Sequence, residues 1–221
     1  MSEVAQHYKG SQGAAYFEWQ RKAGEVGARL NAEKFHRHVR PTDSAADFGC
    51  GDGSMLEYLS VAERTGIEPN EHARAAAAKR GIRTVASAAD LPDSSTDIVV
   101  SSHALEHTLD PVGELRELHR VLKPDGRLVL WLPIDDWRAQ RDADMTDTNH
   151  HLYTWTPLTL HNLLTETRFD VHEVRVVTHA WPPKTPLLLR LLPRAVWDRL
   201  AWLSAVVRRR RQLEAVCTRG A

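Results

Sequence analysis

The sequence predicts an α/β fold, a mainly parallel sheet covered by helices, on two observations. From residue 43 onward, short apolar runs alternate with segments of helical spacing. The first of those runs leads straight into a loop with glycine at alternate positions, Gly49, Gly51 and Gly53. Strands that alternate with helices pair in parallel, because only a long crossover brings the chain back in the same direction.

Each element follows from local pattern. Within residues 14–38, Phe17, Val26, Leu30 and Phe35 recur at the spacing of one helical face, and Pro41 marks the end of that helical segment. Residues 45–48 form the first strand, and the run Arg64-Thr65-Gly66-Ile67 leads out of a second. Residues 71–80 are alanine-rich and favour helix, Gly81 is a stop, and 82–86 read as the third strand. Residues 98–100 supply the next strand. Pro111 sits in the first turn of a helix over 111–122, after which Lys123-Pro124-Asp125-Gly126 turns into a strand at 128–132.

Past Pro133 the chain becomes polar, and residues 134–156 are a candidate lid on the acceptor side. A helix over 157–167 and an alternating strand over 169–177 follow. Pro182, Pro183 and Pro186 break the chain before a Leu- and Trp-rich helical insertion, 187–207, which Pro193 interrupts; residues 212–218 close as a strand. The whole chain, 1–221, reads as a single domain.

Bulk composition narrows the function. Lys plus Arg equals Asp plus Glu at 29 each, so no net field draws the protein to nucleic acid, and a small-molecule partner is expected. Cys50 and Cys217 are too few for a disulfide framework and fit a reducing compartment. The N-terminal residues lack the apolar core of a signal peptide, and no stretch approaches the roughly 18 apolar residues of a spanning helix. A cytoplasmic protein is expected.

The glycine loop after the first strand allows a sharp turn and a close approach of backbone to ligand, since no Cβ intervenes. Glu68 follows about 20 residues later at the end of the second strand, where a carboxylate can accept both hydroxyls of a ribose. Asp90, before Leu91-Pro92, reads by itself as a turn or cap residue.

With the segments Ala89-Asp90-Leu91-Pro92, Leu105-Glu106-His107 and Leu122-Lys123-Pro124-Asp125-Gly126 added to that loop, residues 43–169 resemble the class I S-adenosylmethionine-dependent methyltransferases, small bacterial type. The resemblance implies a Rossmann-like, seven-stranded, mainly parallel sheet with an antiparallel last strand and helices on both faces. Strands 169–177 and 212–218 would form its final hairpin. It implies a transferase that uses S-adenosylmethionine. Asp47, Gly49, Gly51 and Gly53 would hold the methionine end, Glu68 the ribose, and Asp90 with the backbone of Ala89 the adenine; Ser102 completes the implied cofactor set.

A nicotinamide-dependent dehydrogenase shares the glycine turn and the acidic ribose ligand, but its third glycine stands three positions after the second, where this chain has Ser54. His103, Glu106 and His107 also satisfy the H-x-x-E-H pattern of a zinc peptidase class, which requires one helix to carry all three. The expectation is no metal. A non-catalytic nucleoside-binding module is the rival outside enzymes. For an oxygen acceptor of a glycan or secondary metabolite, His107, His103, His150 and His151 are the candidate bases, because imidazole titrates near neutrality. The insertion and Arg208 to Arg211 admit two readings, a helix packed on the sheet or a contact to membrane or lipid-linked substrate.

Overall fold

The computed structural model describes residues 5–21, 24–136, 138, 140, 142, 143 and 146–221. The strands are β1 (Ser44–Phe48), β2 (Glu63–Ile67), β3 (Arg83–Val85), β4 (Thr96–Ser102), β5 (Leu122–Ile134), β6 (Phe169–Thr178) and β7 (Arg211–Arg219). They form one sheet in the order β3-β2-β1-β4-β5-β7-β6. All pairs from β3 to β5 are parallel; β7 runs antiparallel to both of its neighbours. The expected seven-stranded, Rossmann-like architecture is therefore present, with 169–177 and 212–218 in the final hairpin.

Both faces of the sheet are covered, and β5 shows how. Leu128, Leu130 and Leu132 enter one core with Phe48, Val99 and Leu118, while Val129 and Trp131 enter the other with Phe35, Leu56 and Ile98. Successive strand side chains point to opposite faces, so an unbroken apolar run supplies two cores at once.

The helices are α1 (Gly10–Gln20), α2 (Gly24–Glu33), α3 (Ser54–Glu57), α4 (Glu71–Lys79), α5 (Pro111–Val121), α6 (Pro157–Glu166), α7 (Thr185–Leu191) and α8 (Arg194–Val207). Side-chain caps fix several starts. Asn70 accepts from His72 N and Ala73 N at α4, Asp110 accepts from Gly113 N at α5, and Thr156 accepts from Thr159 N at α6. Each satisfies backbone donors that the first turn leaves open.

One sequence expectation is corrected and one element is added. Residues 14–38 hold two helices rather than one segment, because Gly24 has φ 58°, a left-handed value that a right-handed helix cannot continue through. The four-residue α3 was not foreseen; it is too short for apolar periodicity to register.

The insertion is the helix pair α7 and α8, broken at Pro193 as expected. Trp197 and Ala201 bury against Leu30 of α2 rather than directly on the sheet. The opposite face leaves Trp202, Leu203 and Val207 exposed beside the arginine run. No helix among the described residues is long and apolar enough to cross a membrane.

Candidate functional site

The site lies at the carboxyl ends of the parallel strands, where the order reverses between β1 and β4 and loops diverge to leave a crevice. There the chain leaves β1 through Gly49, Gly51 and Gly53, all in left-handed conformations with φ of 79°, 55° and 73°. At Gly49 a side chain is excluded sterically as well, because an added Cβ would stand 2.3 Å from the Cβ of Ala104.

Glu68, at the end of β2, is buried and already organised by the loop. Its Oε2 accepts from Gly51 N at 2.9 Å and its Oε1 from Asn70 N at 2.8 Å. Burial nevertheless holds its carboxyl above the usual range, against the pull of those two donors and of Arg74. Burial and the neighbouring Glu68 push Asp47 up to about 8. Two carboxyls in so dry a place favour a cationic or hydroxyl-bearing guest.

Three cavities converge on this point. One, with about 740 Å³ of open space, is lined by Phe48, Gly49, Ile67, Glu68, Ser87 and Leu109. A second, of about 900 Å³, reaches Asp47, Gly49, Gly51, Asn31 and Ser102. A third, of about 1340 Å³, is walled by Lys34, His103, His107, His151, His179 and Trp181. Gln20 lines all three, and Gly49 joins the first two.

The N-terminal segment forms the roof. Asn70 Nδ2 donates to the carbonyl of Gly13 at 2.8 Å, tying α1 to the start of α4. That contact sets Tyr8, Tyr16 and Gln20 over the glycine loop, and burial pushes both phenols well above their ordinary range. The sequence reading missed these three residues. The aromatic-rich stretch Tyr16-Phe17-Glu18-Trp19-Gln20 was the available signal.

A histidine cluster faces the third cavity. Leu105–His107 form a single 3-10 turn after β4, and Glu106 at its centre is fully buried. Around the Glu106 Oε1 stand His103 Nδ1 at 3.5 Å, His107 Nε2 at 3.8 Å and His151 Nε2 at 3.9 Å. His151 is brought in by the candidate lid, whose Leu152 N and Tyr153 N both donate to the Glu106 carbonyl. Burial pushes Glu106 up to about 8, and depresses His107 to about 4 and His103 to about 3. Burial works against the charged form of His151 too, yet Asp135 and Glu106 outweigh it and leave that imidazole raised. Lys34 stands near, donating to Ser102 Oγ at 3.3 Å, and burial depresses it to about 7.

Residues 46–130 match the methyltransferase domain family. Over this segment the chain is similar to a methyltransferase domain. Arginine-hydroxylase NDUFAF5 of Rattus norvegicus is 34% identical over 113 residues, covering 48% of this chain and 33% of that protein. The 27-O-demethylrifamycin SV methyltransferase of Amycolatopsis mediterranei is 32% identical over 106 residues, 42% of this chain and 39% of that one. The alignments thus span well under two thirds of these curated relatives' length. Among solved structures, an S-adenosylmethionine-dependent methyltransferase from Archaeoglobus fulgidus superposes with TM-score 0.65 at 18% identity, covering 92% of this chain and 99% of that one. The Haemonchus contortus phosphoethanolamine N-methyltransferase 2 bound to S-adenosylmethionine superposes with TM-score 0.64 at 14% identity, covering 98% and 58% of the two chains. The Haemonchus contortus enzyme holds S-adenosylmethionine on this same fold.

In the structure the residues expected at the cofactor fall into two groups. Asp47, Gly49, Gly51, Glu68 and Ser102 line the converging cavities. Gly53 lines none of the three and instead precedes α3, where an added Cβ would press on Ile82. Ala89 and Asp90 are exposed and stand outside the first cavity, which Ala86 and Ser87 line. The Asp90 carboxylate accepts from Ser87 N at 3.1 Å, the cap role that its sequence context suggests without the family. Of the four histidines expected at the acceptor, His103, His107 and His151 gather on the third cavity. His150 does not; its ring stacks on His7 with centroids 4.5 Å apart, and only its carbonyl faces His107.

Proposed function

We propose that the methyltransferase domain transfers a methyl group from S-adenosylmethionine to an oxygen of a small acceptor held in the histidine-walled cavity. The observation that carries the reading is the convergence at Gln20 of three cavities with three different linings.

The residues lining these cavities offer the groups that the cofactor needs. The cavity bearing Phe48, Ile67 and Leu109 offers apolar walls to a nucleoside. Each Glu68 oxygen accepts one backbone donor and keeps a lone pair for a ribose hydroxyl. Asp47, with its carboxyl held up by burial, would regain its charge beside the ammonium of the methionine end.

The sulfonium supplies an already activated methyl group, so the protein's work is alignment, exclusion of water and removal of the acceptor's proton. Tyr8, Tyr16 and Gln20 close the roof and keep water out. His107 borders both the nucleoside cavity and the acceptor cavity, which places its imidazole beside an entering acceptor hydroxyl. An oxygen acceptor agrees with the similarity to the 27-O-demethylrifamycin SV methyltransferase.

The test is transfer of tritium from methyl-labelled S-adenosylmethionine to panels of phenols, sugars and hydroxylated polyketides. Label in at least one panel is expected. Absence of label in every panel from protein that binds the cofactor would favour the non-catalytic nucleoside-binding module.

A further inference from the structure

The buried carboxylate between the histidines is not explained by methyl transfer alone. Glu106 has no exposed surface, and among the described residues neither of its side-chain oxygens has a hydrogen-bond partner. A carboxyl left bare in a protein interior costs several kcal/mol of solvation unless something offsets it. We propose that Glu106, His107 and His151 bind one divalent transition-metal ion.

Donor geometry supports this. One ligand atom from each of the three residues lies within 4.8 Å of the other two. Donors sharing a zinc-like ion at about 2.0–2.2 Å lie about 3–3.5 Å apart, so the observed 3.8 and 3.9 Å need contract by well under an ångström.

Both imidazoles are also held as metal ligands are held. His151 donates its Nδ1 hydrogen to Asp135 Oδ2 at 2.9 Å, which leaves Nε2 bare toward Glu106. His107 has Nδ1 2.7 Å from the Tyr8 hydroxyl and 3.3 Å from the His150 carbonyl, and again Nε2 faces Glu106. A carboxylate or carbonyl on the far nitrogen is the usual means of fixing ring orientation and tautomer at a metal.

Two imidazoles and one carboxylate select zinc, iron(II), cobalt(II) or similar ions over magnesium and calcium, which prefer all-oxygen sets. Three protein donors leave coordination positions open, and His107 and His151 both line the acceptor cavity. With the ion bound, His107 Nε2 is a ligand and no longer the proton acceptor; an acceptor hydroxyl entering one of those positions would instead be acidified by the ion. The 3-10 turn explains why the H-x-x-E-H pattern does not make a peptidase site here: the donors converge from a turn and the lid rather than from one helix.

Cobalt(II) alone, without S-adenosylmethionine, tests the site independently of the methyl-transfer reading. Untagged protein stripped with chelator should bind one equivalent, followed by visible absorption and equilibrium dialysis. Glu106→Gln and His151→Ala should each weaken binding at least about tenfold, and Asp135→Asn by about 10–100-fold through loss of ring orientation. Circular dichroism checks that every variant is folded. Failure of the folded wild-type protein to bind cobalt(II) or zinc(II) overturns the proposal. Binding of unchanged strength in folded Glu106→Gln and His151→Ala overturns it equally, since the ion would then sit elsewhere.

Discussion

Gly51→Val is expected to abolish binding of S-adenosylmethionine, lowering affinity at least about 100-fold, or about 3 kcal/mol. Three effects act together. Valine at a φ of 55° is a backbone outlier for a β-branched residue, which costs on the order of 1–3 kcal/mol. Its Cβ would come within 3.3 Å of Gln20 Oε1, at the side chain common to all three cavities. The strain is also transmitted to Glu68, because Gly51 N is one of the two donors that hold the carboxylate in place. Calorimetric titration of the variant, with circular dichroism to establish folding, checks the result. Near-native affinity in a folded variant would remove the loop from the binding site.

His107→Ala should separate chemistry from binding. Loss of a positioned proton acceptor lowers turnover by about 100-fold or more. The dissociation constant for S-adenosylmethionine should stay within about threefold, since the imidazole stands at the acceptor edge of the nucleoside cavity and Glu68 and Asp47 are untouched. Steady-state rates with an accepting substrate and cofactor titration on the same preparation give both numbers. Unchanged turnover would eliminate His107 from the reaction.

Much of this site was legible in residue order because strand ends and glycine loops are local features. The run from Asp47 to Gly53 announces a turn that only unsubstituted backbone can make, and Glu68 falls where a second parallel strand must end. The sheet order followed from alternation and from the family resemblance together.

The roof was not legible. Tyr8, Tyr16 and Gln20 reach the site through tertiary contacts such as Asn70 to the Gly13 carbonyl and Tyr8 to His107, and no sequence spacing encodes those contacts. Asp90 admits two readings from sequence. Its family position points to a cofactor and its local chemistry, a carboxylate three residues after Ser87, to a cap; the structure shows the cap interaction. The Glu106 cluster required both scales: His103, Glu106 and His107 stand together in sequence, but His151 arrives from 44 residues away through the carbonyl of Glu106 itself.

The central claim is a preformed S-adenosylmethionine pocket floored by the glycine loop and Glu68. Isothermal titration of the folded wild-type protein with S-adenosylmethionine, and separately with S-adenosylhomocysteine, tests it most directly. The account predicts single-site binding of both with dissociation constants on the order of micromolar. No measurable heat from either ligand, across temperatures that would expose a vanishing enthalpy, would contradict it.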